Sequence, residues 1–294
     1  MNRTWNLWRD AAAVATLMLV GCGMVAAQSG QSGQSGQSQQ SQPPAQPADK
    51  SKTPEATPLT LDTAPPTSAE EDAAFKAFQT LPTTDQAKRI DQGEAFAQKY
   101  PQSRYLPVIY SSLTIAYMQT NQIPKMLEIG DKAVALTPND VTTLAILSQT
   151  ISRVTNASTP NAAQQLQKAE TYSKKAIEIV PTLPKPPALS DEAFTAAKNQ
   201  ALVAAHSGLG LVYVKRGKNQ EAIPELEASI KLDTNPDPVN YYLLGLANKS
   251  TNHFEDAITA FNKCAEIAGP MQATCKAQAE DAKKKSATEL SAPK

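Results

Sequence analysis

From Ala69 to about Ser286, apolar residues recur at the spacing of one helix face, and short polar turns separate the runs. The pattern predicts an all-α chain. The runs also repeat. "YYLLGLANKSTNHFEDAITAFNKCAEI", from Tyr241, aligns with "HSGLGLVYVKRGKNQEAIPELEASIKL", from His206, at a constant offset of 35 residues. Leu244 and Gly245 fall on Leu209 and Gly210, Ala257 on Ala222, Phe261 on Leu226 and Cys264 on Ser229. Earlier, Tyr110, Leu113, Tyr117, Ala133 and Pro138 stand at the same relative places. Each unit is read as two antiparallel helices. One such pair cannot bury its apolar face alone, so neighbours must stack into a continuous core.

These residues resemble the tetratricopeptide repeat (TPR) family. Its 34-residue unit has Leu and a small residue early in helix A, small residues and an aromatic in helix B, and a closing Pro. The resemblance runs over residues 69–286 and is fullest in the last two units. Met126 and Gly130 depart from it, and the first unit, 69–106, is degenerate. The joint "FAQKYPQSRY" is similar to those of bacterial envelope TPR lipoproteins. The resemblance implies an α-α superhelix of about five helix pairs, closed by a capping helix from Met271 to Ser286, with a flexible tail over 287–294. It also implies a protein-binding scaffold whose partner lies on the concave face, against helix A. Carried over, that face is Val108, Ser111, Ile115 and Met118; Thr142, Ala145, Gln149 and Ser152; Ala204, Ser207, Leu211 and Val214; and Val239, Tyr242, Leu246 and Lys249. Lys249 is their one charge, so the family's basic clamp for acidic C-terminal peptides is not expected. An apolar helix or extended segment suits the face better. Alternatively, these residues pack on one another.

Two stretches break the period. "NASTPNAAQ" lengthens the turn inside the third unit, and "PKPPALSDEAFTAAKNQAL" precedes the fourth. In the second, Ser190 is placed to cap a long helix ending near Arg216. Phe194, Ala197 and Ala201 share one of its faces. They either pack on the neighbouring unit or form a docking surface through which the chain self-associates as a structural spacer.

The N-terminus changes the picture of where the array works. Arg3 and Arg9 precede an apolar run, Ala11 to Val20, and small residues follow. That is the secretory pattern over residues 1–27. Leu19-Val20-Gly21-Cys22 resembles a bacterial lipobox, which would make Cys22 a lipidated first residue. Cleavage after Ala27 would instead give a soluble periplasmic or secreted protein, and an uncleaved anchor is the third reading. Gly23 is not the aspartate that such lipoproteins use for inner-membrane retention, so acylation would point to the outer membrane. Residues 28–68, rich in Gln, Ser and Gly and then in Pro, have little to bury and read as a disordered tether. Its coil dimension is about 35 Å.

Composition adds little chemistry. The 28 basic and 28 acidic residues cancel, leaving no electrostatic footprint for nucleic acid. The two histidines, His206 and His253, lie far apart in sequence, and no metal, cofactor or catalytic constellation is evident. The expectation is a non-enzyme without a small-molecule substrate. Cys264 and Cys275 flank a tight joint at Gly269-Pro270. In an oxidising compartment they would form a disulfide that pins the cap; the other reading is two buried thiols.

Overall fold

The computed structural model describes residues 67–291, with side chains to Thr288. The stretch read as an export signal, Cys22 and the residues read as a tether, up to residue 66, lie outside the described residues, as do residues 292–294. Eleven α-helices make up the described part, and no strand occurs there. They form five antiparallel pairs: α1 (Ala69–Gln79) with α2 (Gln86–Lys99), α3 (Leu106–Gln119) with α4 (Ile123–Leu136), and α5 (Val141–Val154) with α6 (Ala162–Ile179). Then come α7 (Asp191–Lys215) with α8 (Asn219–Leu232), and α9 (Pro238–Ser250) with α10 (Phe254–Glu266). A last helix, α11 (Gln272–Ser291), lies on α10.

Local chemistry sets the boundaries. Ser68, Asp85, Asp140, Ser190 and Asp237 each accept a backbone N–H from the first turn of the helix they precede. The turns inside the second, fourth and fifth pairs are copies of one another. Asn121, Gly217 and Asn252 adopt φ of 56°, 71° and 62°, the left-handed region that Gly and Asn enter at least cost. The next N–H in each, from Gln122, Lys218 and His253, reaches back to the carbonyl of Tyr117, Tyr213 and Asn248 at 2.8–2.9 Å. This closes the first helix of each pair with a Schellman-type bond and reverses the chain. Pro181 stands in a short 3-10 turn, Val180–Thr182, just past α6, where it cannot continue the helix.

Size complementarity packs the pairs. A Cβ on Gly210 would lie 2.7 Å from Leu226, and one on Gly245 would lie 2.5 Å from Phe261. The small residue on one helix is therefore the socket for the large residue on its mate. In the second pair this relation changes partners. Gly130, where the repeat calls for an aromatic, leaves room for Leu147 of α5. That fills the joint between the second and third pairs from the other side.

The sequence-based boundaries shift in two places. The insertion in the third unit is shared between a loop, Thr155–Asn161, and an α6 of 18 residues, so only part of it lengthens the turn. Helix α11 runs on to Ser291, into the stretch expected to be a flexible tail. No Gly or Pro occurs between Gln272 and Ser291 to stop it.

Candidate functional site

The long helix α7 decides what the helix-A face looks like. Ser190 starts it and Arg216 ends it, so it is 25 residues long where α3 and α5 are 14. Its extra turns lie against α5 and α6 rather than projecting into solvent. Ala201 and Ala205 pack with Val141, Leu144, Ala145, Ala176 and Val180. One turn on, a Cβ at Gly208 would come within 3.0 Å of the Gln149 backbone nitrogen. The two helices thus cross at backbone contact distance, which only a stripe of small side chains allows.

Phe194, Ala197 and Ala201 are 9%, 4% and 8% exposed. All three are buried within the chain and are not an exposed docking face, and Ala201 packs on α5 and α6. The self-associating spacer loses the surface assigned to it.

The sixteen helix-A positions divide. Ser111, Ile115, Met118, Thr142, Ala145, Ser152 and Ser207 are buried. Ile115 and Met118 share a core cluster with Ile146, Ile151 and Val212, so α3, α5 and α7 contribute to one apolar interior. These seven are not a binding surface; the helices are too close for a ligand to enter. The other nine, Val108, Gln149, Ala204, Leu211, Val214, Val239, Tyr242, Leu246 and Lys249, are half-buried. Seven of them lie on α7 and α9. Of these, Lys249 is engaged by α11, through Gln278 and through Asp281 at 3.0 Å.

Polar contacts that the sequence pattern does not announce hold the middle of the array. Ser111 donates to Asp140, which also accepts from Thr143 at 2.7 Å, tying α3 to the start of α5. The Lys215 ammonium caps the end of α5 by donating to the carbonyls of Ser152, at 2.6 Å, and Thr155. Burial pulls its pKa down. Glu170 on α6 accepts from Arg216 and, at 2.6 Å, from Lys174. Burial opposes its ionisation, but Lys174, with Arg216 and Lys218, prevails and its pKa falls below the usual carboxylate value. Arg153 at the end of α5 reaches Asp237, the cap of α9, at 2.8 Å. A buried chain of bonds links Ser207, Asn240 and Ser229 across α7, α9 and α8. The sequence pattern does not announce these pairings, since isolated charged and hydroxyl residues on helices normally read as solvated.

A second concavity, of about 430 Å³, lies between α2, α3 and α4. Leu113 and Tyr117 form its buried floor, and Glu94, Lys125, Glu128 and Lys132 its rim. The rim charges pair, Glu94 with Lys125 at 3.1 Å and Glu128 with Lys132 at 2.8 Å. The Tyr117 hydroxyl donates to Glu94, which lowers the Glu94 pKa; burial first, and then that carboxylate, raise the tyrosine's.

The two histidines lie at different helices, with different partners. His206 Nδ1 lies 2.6 Å from the Glu225 carboxylate, half-buried between α7 and α8. His253 is exposed at the start of α10, beside Thr251. Among the described residues no cluster of three or more His, Cys, Asp or Glu could hold a metal ion, and no helix is long and apolar enough to cross a membrane. Cys264 and Cys275 are joined as a disulfide, with their Cα atoms 5.8 Å apart.

Comparison with known proteins places a family on part of this geometry. Residues 203–236 and 239–269 match the tetratricopeptide repeat model, covering the regular part of α7 with α8, then α9 with α10. Among solved structures, a thermophilic TPR protein of Thermus thermophilus is 18% identical. The match covers 72% of this chain and 98% of that one, with a TM-score of 0.43. The TPR domain of P58(IPK) is 14% identical over 76% of this chain and 68% of its own, with a TM-score of 0.30. No curated protein sequence matches the chain.

Proposed function

We propose, for a chain that carries tetratricopeptide repeats, the role of a scaffold or assembly factor that binds other proteins of the cell envelope and performs no catalysis. Such repeats are generally protein–protein interaction modules. The observation that carries the reading is the uneven helix-A face. Six of its eight positions on α3 and α5 are buried in the array's own packing, while Ala204, Leu211, Val214 and Val239 on α7 and α9 stay half-open and apolar. An apolar helix or extended segment would lie there, with its main-chain groups turned to solvent or to hydroxyls of the array.

The export pattern at residues 1–27, with Cys22 as the acylated residue, supports an anchored protein facing the periplasm. The Gln/Ser/Gly/Pro-rich stretch after it supplies reach. Binding is tested by the double substitution Leu211→Glu and Val239→Glu in the full chain. It should abolish co-purification of the partner from membrane extracts while the helical circular dichroism signal stays unchanged. Unaltered co-purification would remove the proposed face. The intact mass of the mature protein tests the anchor separately. A chain starting at Cys22 with added acyl mass supports it, and one starting at Gln28 or Met1 contradicts it.

A further inference from the structure

Helix α11 is attached differently from every helix it follows. Its fully buried described side chains are Cys275, Ala279 and Ala282, one stripe at helical spacing. Ala279 and Ala282 rest on Ala257 and Phe261, with Tyr242, Leu246 and Ile258 at the edges, and Cys275 packs with Cys264 and Ala265. Two methyl groups and a sulfur take little apolar area out of water compared with the Leu, Ile and Phe anchors of the inner pairs. The remaining ties are polar and reach water. Lys249 holds Gln278 and Asp281, Gln272 donates to the Ala265 carbonyl at 3.0 Å, and Ser286 meets Glu255 at 3.3 Å. The one strong tie is covalent, the Cys264–Cys275 bond at the start of the helix.

Beneath this helix lies a continuation of the half-open face. Tyr242, Leu246 and Lys249 stand at the same repeat positions as Ser207, Leu211 and Val214, shifted by 35 residues. Helix α11 therefore sits where the first helix of a sixth unit would sit, and it satisfies the one charge of that face.

We propose that α11 is a disulfide-latched cover over the fifth unit. With the bond closed it occupies Phe261, Tyr242, Leu246 and Lys249; with the bond opened it detaches and leaves them accessible. Opening needs a dithiol reductant. The reductant supplies two electrons and two protons, the S–S bond breaks to two thiols, and the dithiol closes to its own disulfide. Both sulfurs are buried, so the reaction proceeds through local opening of the exposed joint at Gly269-Pro270. The uncovered face offers an ammonium beside an aromatic trough. It fits a helix with small side chains where Ala279 and Ala282 now lie and a carboxylate in place of Asp281. That such a helix comes from a partner rests on the binding role proposed above; the latch itself does not.

Hydrogen exchange on the full chain, oxidised against reduced with dithiothreitol, tests the latch without any partner. After reduction, amides of residues 276–288 should exchange at least roughly tenfold faster, those of 239–250 should follow in part, and residues 106–232 should keep their protection. Undiminished protection of 276–288 would overturn the proposal. So would collapse of protection across 106–232, which would make the bond a general support of the array. The variant Cys275→Ala keeps a small apolar side chain in the stripe. It should open α11 without reductant, and retained protection there contradicts the latch.

Discussion

The fourth and fifth pairs and the middle of the array, α3 to α6 with the side of α7 that meets them, solve the same packing problem by different means. In the last two pairs one rule recurs at a 35-residue interval. Gly210 receives Leu226 and Gly245 receives Phe261, and the left-handed turns at Gly217 and Asn252 are equivalent. In the middle the same turn recurs at Asn121, but the packing rule is relaxed. Gly130 stands where a large residue belongs, α6 and α7 are lengthened, and α7 crosses α5 at backbone distance. Polar clamps fix the geometry there: Lys215 on the end of α5, Arg216 and Lys174 on Glu170, and Arg153 on Asp237. Where the units repeat, shape complementarity seats the two helices of each pair, and the buried Ser207, Asn240 and Ser229 bonds join one pair to the next. Where they do not, charged clamps are added.

The largest effect is expected in the repeating region, at Phe261. Phe261→Ala empties the socket under Gly245 and should cost about 4 kcal/mol in urea unfolding. Exchange protection should fall first in α9 to α11. In the middle, Gly208→Leu drives a side chain into the Ser148–Gln149 backbone, which cannot move aside as a side chain would. A loss of about 3 kcal/mol is expected. A neutral result would mean the helices do not cross as described.

The clamps come next. Glu170→Gln removes one carboxylate from between two cations. Glu170 is nearly buried while Lys174 is half in water, so about 2 kcal/mol is expected. The same variant sharpens the pH dependence. The Glu170 pKa is lower in the folded chain than its ordinary value of 4.5. Its stabilisation is therefore complete above that value and is lost as pH falls through the lower, folded one. Unfolding free energy measured from pH 6 down to pH 3 should decline more steeply in the parent chain than in Glu170→Gln. Arg153→Ala is the mildest change, about 1 kcal/mol, because the Arg153–Asp237 pair is partly exposed.

What the sequence made legible follows the same division. The offset between Tyr241 and His206, the paired glycines and the proline stops are local, repeated signals, and they led to five helix pairs. Ser190 and Arg216 bounded α7 because a cap and a turn are read from a few neighbouring residues. What α7 lies on was not legible. A face of Phe194, Ala197 and Ala201 looks the same whether it packs inward or waits for a partner, and only the crossing with α5 distinguishes the two. Six of the eight helix-A positions on α3 and α5 are buried for a related reason. The template assumes evenly spaced helices, whereas small residues at Ala145, Ser152, Ser207 and Gly208 draw α5 and α7 together and close the space. Lys215 and Arg216 are ordinary helix-end charges in sequence, Glu170 is an ordinary mid-helix charge, and they become clamps only when the helices meet.

The open half of the helix-A face, and not the sealed half or the outer helices, should be what meets a partner. Site-specific photo-crosslinking in the native cell measures this directly. A crosslinking residue at Leu211 or at Val239 should each give an adduct with the same protein, and one at the exposed Glu227 of α8 should give none. Adducts from Glu227 alone, or none from either face position while the protein is folded and in place, would contradict it.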